Sequence, residues 1–159
     1  MTDSERMLSR WLNRGYELSM KLATRTRHLE KLSGLAEMYK EKEIQTYPSS
    51  NSSETNEIEK SLIRESIEAM EAELLEIDTN TERALYEELE RGAYYTVLYH
   101  RYIERLPWAQ IATSMGYVER HVYRLHQEAI IEMAKALAGK TIEYEKDQRI
   151  IFPKEDGYS

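Results

Sequence analysis

No proline interrupts the chain before Pro48, and over that stretch apolar residues return every three or four positions: Leu8, Trp11, Leu18, Leu22, Leu29, Leu32, Ala36 and Tyr39. Such spacing gathers apolar side chains on one stripe of a helix, and a stripe this narrow is the seam of a paired helix of about five heptads. Gly15 and Arg25 are its two faults. An amphipathic helix resting on a globular core is the alternative. Thr2 followed by Glu5 has the spacing of a capping box, which starts a helix there.

The stretch from Thr46 to Ser53, rich in Ser and Asn around Pro48, has loop composition and offers N-cap residues to a helix after it. That second helix carries Ile63, Ile67, Met70, Leu74 and Ile77 at heptad spacing, and glutamates crowd its outer face. Asp78-Thr79-Asn80-Thr81 interrupts the pattern, a place to kink or restart, and Gly92 is a firmer boundary. Only 6 Gly and 3 Pro stand against 32% charged residues, and that scarcity of chain breakers predicts an all-α fold. Its expected parts are a long antiparallel helical hairpin (coiled coil) over 1–91 with a loop near 46–54, and a compact domain over 92–139. Residues 140–159 are expected as a loose C-terminal tail, although Thr141-Ile142-Glu143-Tyr144-Glu145 alternates as a short strand would.

The formal net charge of −7 argues against nucleic acid until it is divided along the chain. Residues 1–46 carry 9 basic and 7 acidic groups, 47–92 carry 4 and 13, 93–139 carry 5 and 4, and 140–159 carry 4 and 5. A nucleic-acid site therefore has to lie outside 47–92. Opposite signs on the first and second helices favour their antiparallel pairing, though only by tenths of a kcal/mol per exposed pair. The absence of cysteine excludes disulfides, thiol nucleophiles and Cys-ligated zinc. The opening MTDSERMLSR has no apolar core of a signal peptide, and no run approaches the roughly 18 apolar residues of a membrane span. A soluble cytoplasmic protein with no membrane partner is expected.

From Tyr94 the chain reads YYTVLYHRYIERLPWAQIATSMGYVERHVYRLHQEAIIEMAKAL, and here the spacing is specific. Pro107 opens a short helix where a missing N–H costs nothing, and Trp108, Ile111, Ala112 and Met115 give it a buried face. Gly116 supplies the left-handed residue of a tight turn. A second helix begins near Val118 or Glu119 with Val122, Leu125 and Ala129 inward. Together these features describe a helix-turn-helix, against the plainer alternative of an ordinary αα-hairpin. On the second helix Arg120, Arg124 and Gln127 point away from the core, with His121 and Tyr123 flanking. Arg suits guanine O6 and N7, Gln suits adenine, and a flanking Tyr or His suits phosphate. Glu119 favours the helix dipole and repels phosphate unless it accepts from a cytosine amino group. His126 faces inward as a core or boundary residue. Leu98, Tyr99, Tyr102 and Ile103 form a packing face, which leaves Arg101 and Arg105 as candidates for phosphate contacts, a solvated role being equally open to Arg105.

The segment RYIERLPWAQIATSMGYVERHVYRLHQEAI resembles region four of bacterial sigma factors, which reads the −35 promoter element. More closely it resembles phage and prophage regulators of the ArpU/RinA type, in which an RY pair, a tryptophan before the first motif helix, an MGY turn and an HVYRLH recognition helix recur. That resemblance implies base or phosphate contacts at Glu119, Arg120, His121, Tyr123 and Arg124. Two departures stand out: Val118 occupies the usual Ser or Thr N-cap, and the first recognition residue is acidic. No segment resembles the promoter-melting and −10-binding regions, so the resemblance implies an activator of phage late genes working beside a host polymerase.

The expected function is a sequence-specific DNA-binding transcriptional regulator of prophage origin. Its partner is double-stranded DNA, with bacterial RNA polymerase and a second copy of the chain as further partners left open. The alternative is a polymerase-binding adaptor or sigma mimic with little DNA affinity, using the acidic helix near 54–90. An enzyme is not expected. His121 and His126 are five apart and do not align as a metal pair, no Gly-rich phosphate loop or Ser-centred nucleophile motif occurs, and neither metal nor cofactor is implied.

Overall fold

Thr2 starts the first helix as its spacing from Glu5 predicts. The Glu5 N–H donates to Thr2 Oγ1 at 3.1 Å, while the Thr2 N–H donates to Glu5 Oε2 at 2.6 Å. In the computed structural model residues 1–43 and 50–154 are described. Helix α1 runs Asp3–Leu12, α2 Arg14–Glu43, α3 Ser50–Leu89, α4 Ala93–Leu98, α5 Trp108–Met115 and α6 Glu119–Leu137. A π-helical turn, Tyr99–Ile103, follows α4, and strands β1 (Thr141–Tyr144) and β2 (Gln148–Ile151) follow α6. The described chain is thus predominantly helical, as its composition demands, with one small antiparallel sheet in addition.

Three boundaries differ from expectation. The first helix is not continuous from Thr2, because Asn13 (φ −77°, ψ −6°) ends α1 and α2 restarts at Arg14. Of the loop expected near 46–54, residues 46–49 lie outside the described residues and 50–54 are the first turns of α3, where Ser and Asn are well tolerated. Asp78-Thr79-Asn80-Thr81 does not restart the helix, since α3 runs through it. The Thr79 and Thr81 hydroxyls donate back to the carbonyls of Leu75 and Ile77 at 2.8 and 2.7 Å, and Asp78 and Asn80 find partners on other elements.

The chain divides into two compact units, Met1–Glu17 with Leu75–Ser159, and Leu18–Leu74. In the first, α6 is the central helix. Val122, Ala129, Ile130, Met133 and Leu137 are buried against Leu8, Trp11 and Leu12 of α1, Leu85 of α3, Val97 and Leu98 of α4, and Ile111 and Ala112 of α5. This core ignores the expected boundary at 91, since α1 and the end of α3 supply part of it.

The expected loose tail is instead, from Thr141 to Ile151, a hairpin. Thr141 pairs with Ile151 and Tyr144 with Gln148, and consecutive left-handed residues Lys146 and Asp147 (φ 59° and 57°) turn the chain as primed hairpin turns do. Phe152 behind it is 1% exposed within the core. Arg14 ties the turn down: its Nε and Nη2 donate to Glu145 Oε1 and Oε2 at 2.6 and 3.0 Å, and its guanidinium lies 3.9 Å from the Trp11 ring. Residues 155–159 of the expected tail lie outside the described residues.

In the second unit Leu32 of α2 and Ile63 of α3 are buried, and Leu18, Leu22, Leu29, Ile67, Met70 and Leu74 are half-buried. His28 Nε2 lies 4.0 Å from Glu59 Oε1. The side chains of Ala36 and Tyr39, the last seam positions expected, are outside those described.

Candidate nucleic-acid interface

The turn between α5 and α6 is made by local chemistry. Gly116 is left-handed (φ 72°, ψ 31°), and the Tyr117 and Gly116 N–H groups donate to Ala112 and Thr113 carbonyls at 2.9 and 3.3 Å. This double closure is the Schellman arrangement that a glycine after a helix permits. Val118 is extended and gives no side-chain cap, so the first turn of α6 is closed by its carbonyl, which accepts from the His121 N–H at 3.1 Å. Val122 (0% exposed) and Leu125 (8%) then fix the inner face of α6. At about 100° per residue the rest of its first two turns faces outward: Glu119, Arg120, Tyr123, Arg124 and Gln127 are exposed and His121 is half-exposed. Six of the seven expected site residues therefore share one helix face.

Arg101, the seventh, is placed differently. It sits half-buried on the π-helical turn, its guanidinium 4.2 Å from the Trp108 ring and 5.2 Å from Tyr16, with Nη1 donating to the Leu106 carbonyl at 3.0 Å. Arg105 is engaged as well. It adopts a left-handed backbone (φ 56°) and donates from Nη1 and Nη2 to Asp78 Oδ1 and Oδ2 at 2.8 and 3.0 Å. The bidentate pair holds a conformation a non-glycine residue otherwise avoids. Gly15, one of the two faults in the heptad pattern, leaves room for this arginine: a Cβ there would stand 3.1 Å from Arg105 Nη1.

Behind the exposed face lies an aromatic support. Trp108, the first residue of α5, meets Tyr123 edge-on at 5.1 Å and His126 at 4.9 Å between ring centroids. His126 Nε2 and the Tyr102 hydroxyl are 2.7 Å apart. Burial, with a smaller contribution from Arg101, lowers the His126 pKa to about 4, and burial raises that of Tyr102 to about 12. Both partners are neutral near pH 7, as a hydrogen bond within a packed wall requires. On the outer side Arg124 Nη2 donates to His121 Nδ1 at 2.7 Å, and Tyr117 meets the His121 ring edge-on at 4.5 Å. Tyr117 is thus a part of the face that side-chain chemistry alone does not single out, while Trp108, an expected inward residue of α5, backs it. The signal for Trp108 was its place directly after Pro107, at the mouth of the α5–α6 crossing.

Among the described residues no group of three or more His, Asp or Glu side chains could hold a metal ion, and no helix is long and apolar enough to cross a membrane. No family model, curated protein or solved structure matches this chain.

Proposed function

We propose that this chain is a sequence-specific DNA-binding transcriptional regulator, with α5, the Gly116 turn and α6 as a helix-turn-helix. In this reading α6 lies in the major groove, and α2 and α3 form an antiparallel coiled-coil hairpin. The observation that carries the proposal is the outward face of α6: two arginines, a glutamine, a tyrosine and a histidine on the helix after a tight glycine turn, seated on a wall of aromatic rings. Arg120 and Arg124 suit guanine and Gln127 suits adenine, while Tyr123 and His121 reach flanking phosphates. Arg101 steadies the wall through Trp108 more than it reaches for DNA. The resemblance to sigma region four and to ArpU/RinA-type phage regulators supports the same role, an activator acting with a host polymerase.

Fluorescence anisotropy with a labelled duplex over a range of salt concentrations tests this. Binding is expected to weaken steeply as salt rises, with a log–log slope near −0.9 for each phosphate contacted. Absent binding, or binding without salt dependence, would overturn it in favour of a polymerase-bound adaptor.

A further inference from the structure

Among the described residues of the 18–74 unit, buried apolar side chains are few. Leu32 and Ile63 are its buried apolar side chains among those described, while the flanking seam residues stay half-buried although they point inward. Units of about 60 residues are marginal even with a full core. Two lateral faces flank the seam, and they differ. Placed at about 100° per residue from the seam, Lys21, Lys31 and Leu35 of α2 fall on the same side as Ile58, Leu62 and Glu73 of α3. The His28–Glu59 contact bridges the two helices on that side. Leu35, Ile58 and Leu62 are 44, 63 and 61% exposed. The opposite face is polar, with Glu30, Glu57, Arg64 and Glu68.

We infer that a second copy of this chain covers the apolar face, two hairpins packing as a four-helix bundle in which α2 of each copy lies on α3 of the other. The inference rests on the antiparallel hairpin proposed above and is independent of the DNA-binding role. Charge selects the occupant and its orientation. Residues 18–43 hold 6 basic and 4 acidic groups, whereas 54–74 hold 2 and 7. Stacking α3 on α3 would oppose like charges across the bundle, while the crossed arrangement sets each basic helix against an acidic one. A two-fold axis satisfies both contacts at once, because each copy offers both helices.

Sedimentation equilibrium of the full chain without DNA is the test. The expected mass is twice 18.8 kDa, with association weakened by added salt. The double variant Ile58→Glu/Leu62→Glu is expected to raise the dimer dissociation constant about a hundredfold or more. Its far-UV circular dichroism should be unchanged, since both side chains are exposed in the single chain. A monomeric wild type, or a double variant that dimerises as tightly as wild type, would overturn the dimer alone. Ile63→Glu, inside the seam, is expected to lower helicity as well as mass, and full helicity in that variant would overturn the hairpin and the dimer with it.

Discussion

His126 is held neutral by its surroundings, and that makes the fold sensitive to acid. Its pKa falls from 6.5 to about 4 through burial and, secondarily, through Arg101. Between those values the unfolded chain binds a proton that the folded chain refuses, so stability is full above pH 6.5 and is lost as the pH drops toward 4. The loss is expected to reach about 3 kcal/mol. Glu145 acts in a lower window. Burial pushes its carboxyl up, but hydrogen bonds from Arg14, its own backbone and Asn80 outweigh this and leave the pKa below 4.5. Its contribution is present above pH 4.5 and lost as the pH falls further. Thermal unfolding followed from pH 7 to pH 4 checks the first window: His126→Gln should flatten the profile there, and an unchanged profile would assign the loss to other groups. His126 was legible as an inward residue because Val122, Leu125 and Ala129 define the helix phase. The engagement of Arg105 was not, because Asp78 lies 27 residues away and only the fold brings them together.

The elements legible from sequence are those whose causes are local. The capping box at Thr2, the α5–Gly116–α6 turn and the heptad stripes each arise from residues a few positions apart. Gly116→Ala isolates one such cause. A Cβ there meets nothing within 4 Å, so the expected cost of about 1 kcal/mol is that of the left-handed backbone alone, measurable by urea denaturation. A much larger loss would mean that the turn is packed more tightly than its geometry indicates. The C-terminal hairpin is not legible in the sequence for the opposite reason. Four-residue strands carry little periodicity, and what anchors them is distant: Phe152 in the core and Arg14 on Glu145, 131 residues apart. Phe152→Ala is expected to cost about 3–5 kcal/mol in the same denaturation experiment, whereas a loose tail would show almost no change. Asp78-Thr79-Asn80-Thr81 is a similar case, its polar side chains serving as partners for Arg105 and Glu145 rather than as a helix break.

Across the whole molecule, acidity and the proposed DNA contact are kept on different segments. The excess negative charge lies within 47–92, and the proposed reading face lies on α6, whose exposed first turns hold Arg120 and Arg124 against Glu119. A dimer through residues 18–74 would give each assembly two such faces, so a two-part binding site is expected. Selection from a pool of random duplexes tests the central claim most directly, with the wild-type chain and the Arg120→Ala/Arg124→Ala variant run in parallel at moderate salt. Wild type should enrich one motif containing guanines, and the variant should lose it, at about 1–3 kcal/mol for each arginine removed, with circular dichroism unchanged. Enrichment of the same motif by both proteins would place the reading face elsewhere, and no enrichment by either would contradict sequence-specific DNA binding by this chain.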